Sequence, residues 1–420
     1  MSHESTPQVL NRVAITGMGG ICGLGSTLNE IWPNLISGKS GISHIEEFTD
    51  DKLFPIKFAG IVKNFTLNPD ILSEKEQRKY GRFLLLALQA ADEAMSNLNL
   101  MQSYEPDRIG SIIGTGMGGF DLLESNYKQF FEKGARRINP FLIPGIIPNM
   151  TPGLFSILHG FHGINYSVSS ACASSGHALS AAANEIRLGT HDAIISGGTE
   201  SVVTGITLGG FNQMKALGKG FDDVTKISRP FDKDRCGFVM GEGAGILVLE
   251  NYEKAKKRGA PILAELVGYG SSSDAHHIAA PHPEGKGAMT AMLNAMRNAD
   301  LRPEQIDYIN AHGTSTPLGD KIEVQAVKKV FGDHAYKLAM TSTKSSIGHL
   351  LGAAGGIESV LCIKAMMENT IPPTINLTNP DPECDLNFVP NVGIKKELNY
   401  VLNNTFGFGG TNSTLIFKAQ

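Results

Sequence analysis

The strongest constraint on this fold is an alternation. Short apolar runs close on glycine turns, and each is followed by a stretch with helical spacing. "RVAITGMGG" (12–20), "RIGSIIGTGMGG" (108–119), "GINYSVSSAC" (163–172) and "DAIISGGTES" (192–201) read as strands. "SEKEQRKYGRFLLLALQAADEAMSNL" reads as one long helix opening at Ser73, and "ASSGHALSAAANEIRLG" as another. The second part repeats the style, with "IDYINAHGTST" a strand, "GDKIEVQAVKKVFG" and "LGAAGGIESVLCIKAMMENT" helices, and two closing strands around "GFGG". Such alternation predicts α/β architecture built on parallel sheets covered on both faces. The repetition predicts two pseudo-duplicated halves, 12–260 and 261–420, packed without a linker behind a disordered 1–11.

Composition narrows the partners. Lys and Arg number 37 against 41 Asp and Glu, a net charge of −4, and no basic run stands out, so nucleic acid is not expected. The N-terminus lacks a basic region followed by an apolar stretch, and no run is long enough to span a bilayer. The five cysteines are odd in number and scattered, without CxxC. This argues against a disulfide framework or a cysteine zinc site and fits a reducing cytoplasm.

Cys172 is the candidate nucleophile. It sits where a strand ends and an Ala-rich helix begins, and a helix N-terminus favours thiolate. Small neighbours (Ser170, Ala171, Ala173, Ser174, Gly176) let a carbonyl approach the Cys172 N–H. Two later segments offer partners. "NAHGTSTPLGD" carries His312, Thr314, Thr316 and Asp320, and "TSTKSSIGHLLGAAGGIESV" carries Lys344, His349 and Glu358. "GTGMGG" (114–119) matches a dinucleotide-binding pattern, but no acidic residue closes a second strand about twenty positions on, so it reads as a turn beside a pocket. Asp274, His276, His277 and His282 lack metal-ligand spacing and read as a loop lining the site.

"SSACASS", "RPFDKDRCGFVMGEGAG", "NAHGTSTPLGD", "STKSSIGHLLGAAGG" and "NNTFGFGGTNS", in this order, resemble the β-ketoacyl-[acyl carrier protein] synthases, most closely the synthase II group of bacterial type II fatty acid synthesis. The likeness runs from about residue 12 to the C-terminus. It implies a thiolase fold with a layered αβαβα core, and Cys172, His312, His349 and Lys344 in one pocket. The implied reaction is decarboxylative condensation of an acyl-enzyme with malonyl-carrier protein, without a metal or redox cofactor. It also implies an oxyanion hole at the Cys172 and Phe408 N–H groups, with Phe408 gating between Gly407 and Gly409. Glu358 and Asp320 support the site, Thr314 and Thr316 bind the pantetheine arm, and Met117 lines the acyl tunnel where the group usually has Ile. Lys75, Arg78, Lys79 and Lys215 match a docking patch for acidic acyl carrier protein, and a homodimer is implied through the strand before Cys172. Ala279 stands where the pattern has threonine, and Cys236 where Asp is usual. The alternatives are a polyketide ketosynthase, a non-catalytic chain-length partner, which should lack the nucleophile, and a cysteine hydrolase.

Overall fold

Residues 10–48 and 53–420 are described by a computed structural model. Ten strands form one large sheet: β1 (Val13–Ile21), β2 (Ile109–Gly114), β3 (Asn165–Val168), β4 (Ala193–Glu200), β5 (Gly243–Asn251), β6 (Ala264–Ser273), β7 (Tyr308–Asn310), β8 (Ala339–Thr341), β9 (Tyr400–Gly407) and β10 (Thr411–Lys418). Their order is β8-β7-β9-β10-β6-β1-β5-β4-β2-β3. Counted from the centre, each half has its first, last, fourth, second and third strand, so the topology is duplicated. The halves join through a short antiparallel contact, Ala14 opposite Glu265 and Ile15 opposite Ala264.

The sheet is mixed, which corrects the expectation of parallel sheets. In each half the second strand pairs parallel with the third and fourth. The last strand lies antiparallel to both the first and the fourth. The closing hairpin shows why: β9 and β10 are joined by only Phe408–Gly410, too short for a parallel crossover. Both faces are covered, so β4 and β5 are buried along their whole length rather than alternately.

Five helices complete the layers: α1 (Arg82–Met95), α2 (Ser174–Arg187), α3 (Lys286–Asn298), α4 (Pro317–Phe331) and α5 (Ala354–Met367). α1 covers β1, β4 and β5 on one outer face, and α3, beside α4, covers β6 and β10 on the other. α2 and α5 touch strands of both halves and form the shared middle layer. α5 is buried almost all round, as a middle layer requires. Its first turn presses onto the sheet because Gly245 and Gly356 lack side chains; a Cβ on Gly245 would lie 2.2 Å from the Ile357 nitrogen.

The long helix expected from Ser73 is instead two, Glu74–Gln77 and α1. Between them the Gly81 N–H donates to the Gly145 carbonyl at 3.1 Å, and a Cβ there would meet that oxygen at 2.9 Å. A tertiary contact thus overrides continuous helix propensity. Of the segment expected to be disordered, residues 1–9 lie outside the described residues. Asn11 is held, donating from its backbone and side chain to the Arg187 and Ile186 carbonyls at 3.0 and 3.1 Å. Among the described residues no helix is long and apolar enough to cross a membrane.

Candidate active site

The loops leaving the C-terminal ends of β2, β3, β7, β8 and β9 surround one cavity of about 780 Å³, lined from both halves. Cys172 lies in the turn between β3 and α2. Ala171 before it takes a left-handed conformation (φ 51°), which forces the tight turn that aims the thiol into the cavity. The Cys172 Sγ lies 3.0 Å from the His349 Nε2, and the Phe408 N–H points at the same sulfur. Burial pushes the thiol up to about 12, while the Lys344 charge and the Phe408 N–H pull it back.

His349 follows β8. Its Nδ1 accepts the Leu351 N–H at 3.3 Å, which fixes the proton on Nε2, facing the sulfur. His312 follows β7, and its ring stands at 87° to that of His349 with centroids 5.3 Å apart. The backbone of its loop is held by Glu323 of α4, whose carboxylate accepts the His312 and Gly313 N–H groups at 2.9 and 2.8 Å. Burial raises the Glu323 carboxyl to about 7 despite those donors. Lys344 is 1% exposed and ion-paired with Glu358 of α5, equally buried. Burial first, and then the Lys344 charge, hold both imidazoles well below their usual range, so both are neutral at pH 7. Cys172, His312 and His349 place their ligand atoms within 4.8 Å of one another, the one such group among the described residues that could hold a metal ion.

The remaining candidates divide. Met117, Thr314, Thr316, Gly407, Phe408 and Lys215 line the cavity. The Thr314 and Thr316 hydroxyls are 3.1 Å apart. Gly407 must be bare, because a Cβ would come within 3.0 Å of the Cys172 nitrogen. Phe408 is 37% exposed at the mouth. Gly409, expected to bind substrate, does not line the cavity. It takes φ 80° and donates its N–H to the Ile278 carbonyl at 2.7 Å, so it shapes the turn. Asp320 lies behind the His312 loop, accepting the Ser315 and Phe231 N–H groups and pairing with Arg235 at 3.6 Å. Lys75 and Arg78 are exposed on the segment before α1, and Lys79 there is paired with Glu76 and sits over the Phe141 ring.

The two sequence departures also fall on the cavity wall. The Ala279 N–H donates to the His277 ring at 3.0 Å. The Cys236 thiol ties down the facing loop, accepting the Lys219 N–H and donating to its carbonyl. "GTGMGG" is the turn beside this pocket, with Gly116 and Met117 in its wall. Sequence reading missed Glu323 and Glu200. Each is a lone carboxylate in an apolar run ("KIEVQAV", "AIISGGTE"), a signal that would have found them.

Comparison with known proteins agrees with this geometry. Residues 10–255 match the β-ketoacyl synthase N-terminal domain and residues 263–378 the C-terminal domain. The chain is 47% identical over 410 residues to 3-oxoacyl-[acyl-carrier-protein] synthase 2 of Coxiella burnetii, covering 97% of this chain and 98% of that one. It is 45% identical to the protein of the same name from Vibrio cholerae, covering 97% and 99%. Among solved structures it resembles a β-ketoacyl synthase from Burkholderia phymatum (TM-score 0.90, 33% identity, 98% and 100% covered). It likewise resembles a chain of a complex described as a type II polyketide-synthase acyl-carrier protein with its ketosynthase bound to the hexaketide (TM-score 0.90, 32% identity, 98% and 100% covered). The paired domains, the near-complete coverage and the cysteine facing two histidines all place this chain in the β-ketoacyl synthase family, with the synthase 2 group.

Proposed function

We propose that this protein elongates fatty acyl chains, condensing an acyl-enzyme thioester with malonyl-acyl carrier protein to give a β-ketoacyl-carrier protein two carbons longer. The observation that carries this reading is the Cys172 sulfur 3.0 Å from a histidine nitrogen whose proton is fixed by the Leu351 N–H. In the first half-reaction Cys172 attacks the acyl thioester. The carrier thiolate departs and takes up, in net, the thiol proton. The Cys172 and Phe408 N–H groups stabilise the oxyanion. Malonyl-carrier protein then binds with its thioester carbonyl between His312 and His349. Both are neutral, so they act as hydrogen-bond donors to the enolate formed as carbon dioxide leaves. The enolate attacks the acyl carbonyl and expels the Cys172 thiolate.

Lys344 adds a positive charge to the burial that keeps the imidazoles neutral, and Glu358 keeps that charge tolerable in the interior. Thr314 and Thr316 offer hydroxyls to the amides of the carrier's pantetheine arm. Lys75, Arg78, Lys79 and Lys215 receive the acidic carrier protein. We take 12–260 as the acyl-holding half and 261–420 as the half that makes the carbanion. The free edge of β3, at the end of the sheet, supports a homodimer. Five free cysteines fit the cytoplasm. The synthase 2 relatives, more similar to this chain than the polyketide structure, favour fatty acid substrates over the polyketide reading.

The test is intact-mass measurement of the protein and its Cys172→Ala variant with long-chain acyl-carrier protein and no malonyl donor. One acyl group is expected on the wild type and none on the variant. An unacylated, folded wild type would overturn the reading.

A further inference from the structure

Glu200 ends β4, is fully buried, and has no part in the mechanism above. Its Oε2 accepts the N–H groups of Gly116 at 2.7 Å and Gly352 at 3.0 Å. Its Oε1 accepts the Met117 N–H at 3.2 Å and the Thr115 hydroxyl at 3.1 Å. Gly116 and Met117 wall the cavity from the first half. Gly352 belongs to the second half and follows Leu351, whose N–H fixes the His349 tautomer. A Cβ on Gly352 would lie 2.2 Å from the Gly116 nitrogen and 2.5 Å from the Glu200 Oε2. The two loops therefore close on a single carboxylate with nothing between them. Burial raises the Glu200 carboxyl, and against it three of the four partners are backbone N–H groups, which can only donate and so favour the ionised form.

Leu351 adds a reason for this brace. It is not glycine, yet it takes φ 48°, a strained conformation that persists only where its surroundings hold it. The bond from Gly352 to Glu200 is the next link in the chain. Without it, Leu351 can relax and release the His349 ring. At the other end of the same carboxylate, the Met117 N–H sets where that side chain stands in the cavity wall.

We propose that Glu200 is a positioning residue that couples the two half-reactions, holding Met117 against the acyl chain and His349 against the reacting thioester through one carboxylate. This rests on the condensation assigned above. On this account chain-length selection and enolate stabilisation cannot be tuned separately, because a shift of either loop is passed to the other.

The test is Glu200→Gln, which keeps the size but turns an NH₂ toward at least one N–H. Condensation and unprimed decarboxylation of malonyl-carrier protein are expected to fall together in kcat by about a hundredfold, the scale of a misplaced catalytic group. KM for malonyl-carrier protein is expected to stay within about twofold, since the arm-binding threonines are untouched. The acyl chain-length profile should shift in the same variant. The pH profile of Cys172 alkylation should move to lower pH, because the Glu200 charge disfavours the thiolate. Thr115→Val, which removes one of the four donors, should move decarboxylation and chain-length profile together by about fivefold, and it carries the test if Glu200→Gln does not fold. A folded Glu200→Gln with wild-type kcat overturns the proposal. So does a variant in which decarboxylation falls while the chain-length profile and the alkylation profile stay unchanged. Wild type is run in parallel: if it neither takes acyl groups nor decarboxylates, the assigned reaction falls and the coupling with it, whereas an active wild type beside an equally active variant overturns the coupling alone.

Discussion

The two halves share one topology and carry different chemistry at matched positions. After its second strand, the first half has a glycine-rich loop that puts Gly116 and Met117 in the cavity wall; the second half has His312, Thr314 and Thr316. After its third strand, the first half has the Cys172 thiol; the second has Lys344 and His349. The shared middle layer, α2 and α5, brings these matched ends face to face. A duplicated frame therefore supplies two sets of loops at one cavity, and on the proposed reaction one side would hold an acyl group while the other manages charge.

Variants break this division most sharply at the thiol. Cys172→Ala should abolish acyl-enzyme formation in intact-mass spectra yet leave unprimed malonyl-carrier decarboxylation measurable, because the imidazoles proposed to hold the enolate, His312 and His349, lie in the second half. His312→Ala should do the reverse. Acylation persists, while decarboxylation falls about 10²–10³-fold, the usual cost of one donor to an oxyanion. Acylation and decarboxylation lost together in His312→Ala would show that the halves do not divide the work.

Stability should be asymmetric too. Lys344→Ala leaves the Glu358 carboxylate buried without its partner and should cost about 3–5 kcal/mol in denaturant titrations. The exposed Lys75→Ala should change stability by less than about 0.5 kcal/mol.

pH separates the halves without mutation. The Cys172 thiol is raised to about 12, so its alkylation by iodoacetamide should climb about tenfold per pH unit from 7 to 9, without levelling near the ordinary thiol range. The histidines are shifted the other way. They are already neutral at pH 7 and stay so as pH falls toward 6, so neither imidazole should show a protonation step by NMR between pH 6 and 8. An imidazole protonation step centred on the ordinary range would contradict that. A smaller effect on rate is expected at Met117→Ile, where a stiffer side chain in the wall should redistribute rates among neighbouring chain lengths by about tenfold or less.

Much of this was legible in the sequence for a local reason. A cysteine at a strand-to-helix junction, and histidines following apolar strands among small polar residues, are features of adjacent residues. What was misread depended on contacts distant in sequence. The break before α1 comes from Gly145, more than sixty residues away, and the mixed sheet comes from pairings no single run encodes. Gly409, placed in the site by its neighbours, faces away because its N–H is taken by Ile278.

The sequence by itself determined the strand and helix segments, their repetition, and the identity of the thiol, the imidazoles and the ammonium. Periodicity and residue chemistry travel with the chain and need no partner. Only the tertiary structure decided their working states. It buried both imidazoles beside Lys344 and so kept them neutral, it seated Glu323 behind His312, and it closed two loops from different halves on Glu200. Each of these depends on charges and donors brought together across ten to about 150 residues of chain, and their energies exist only once water has been excluded between them.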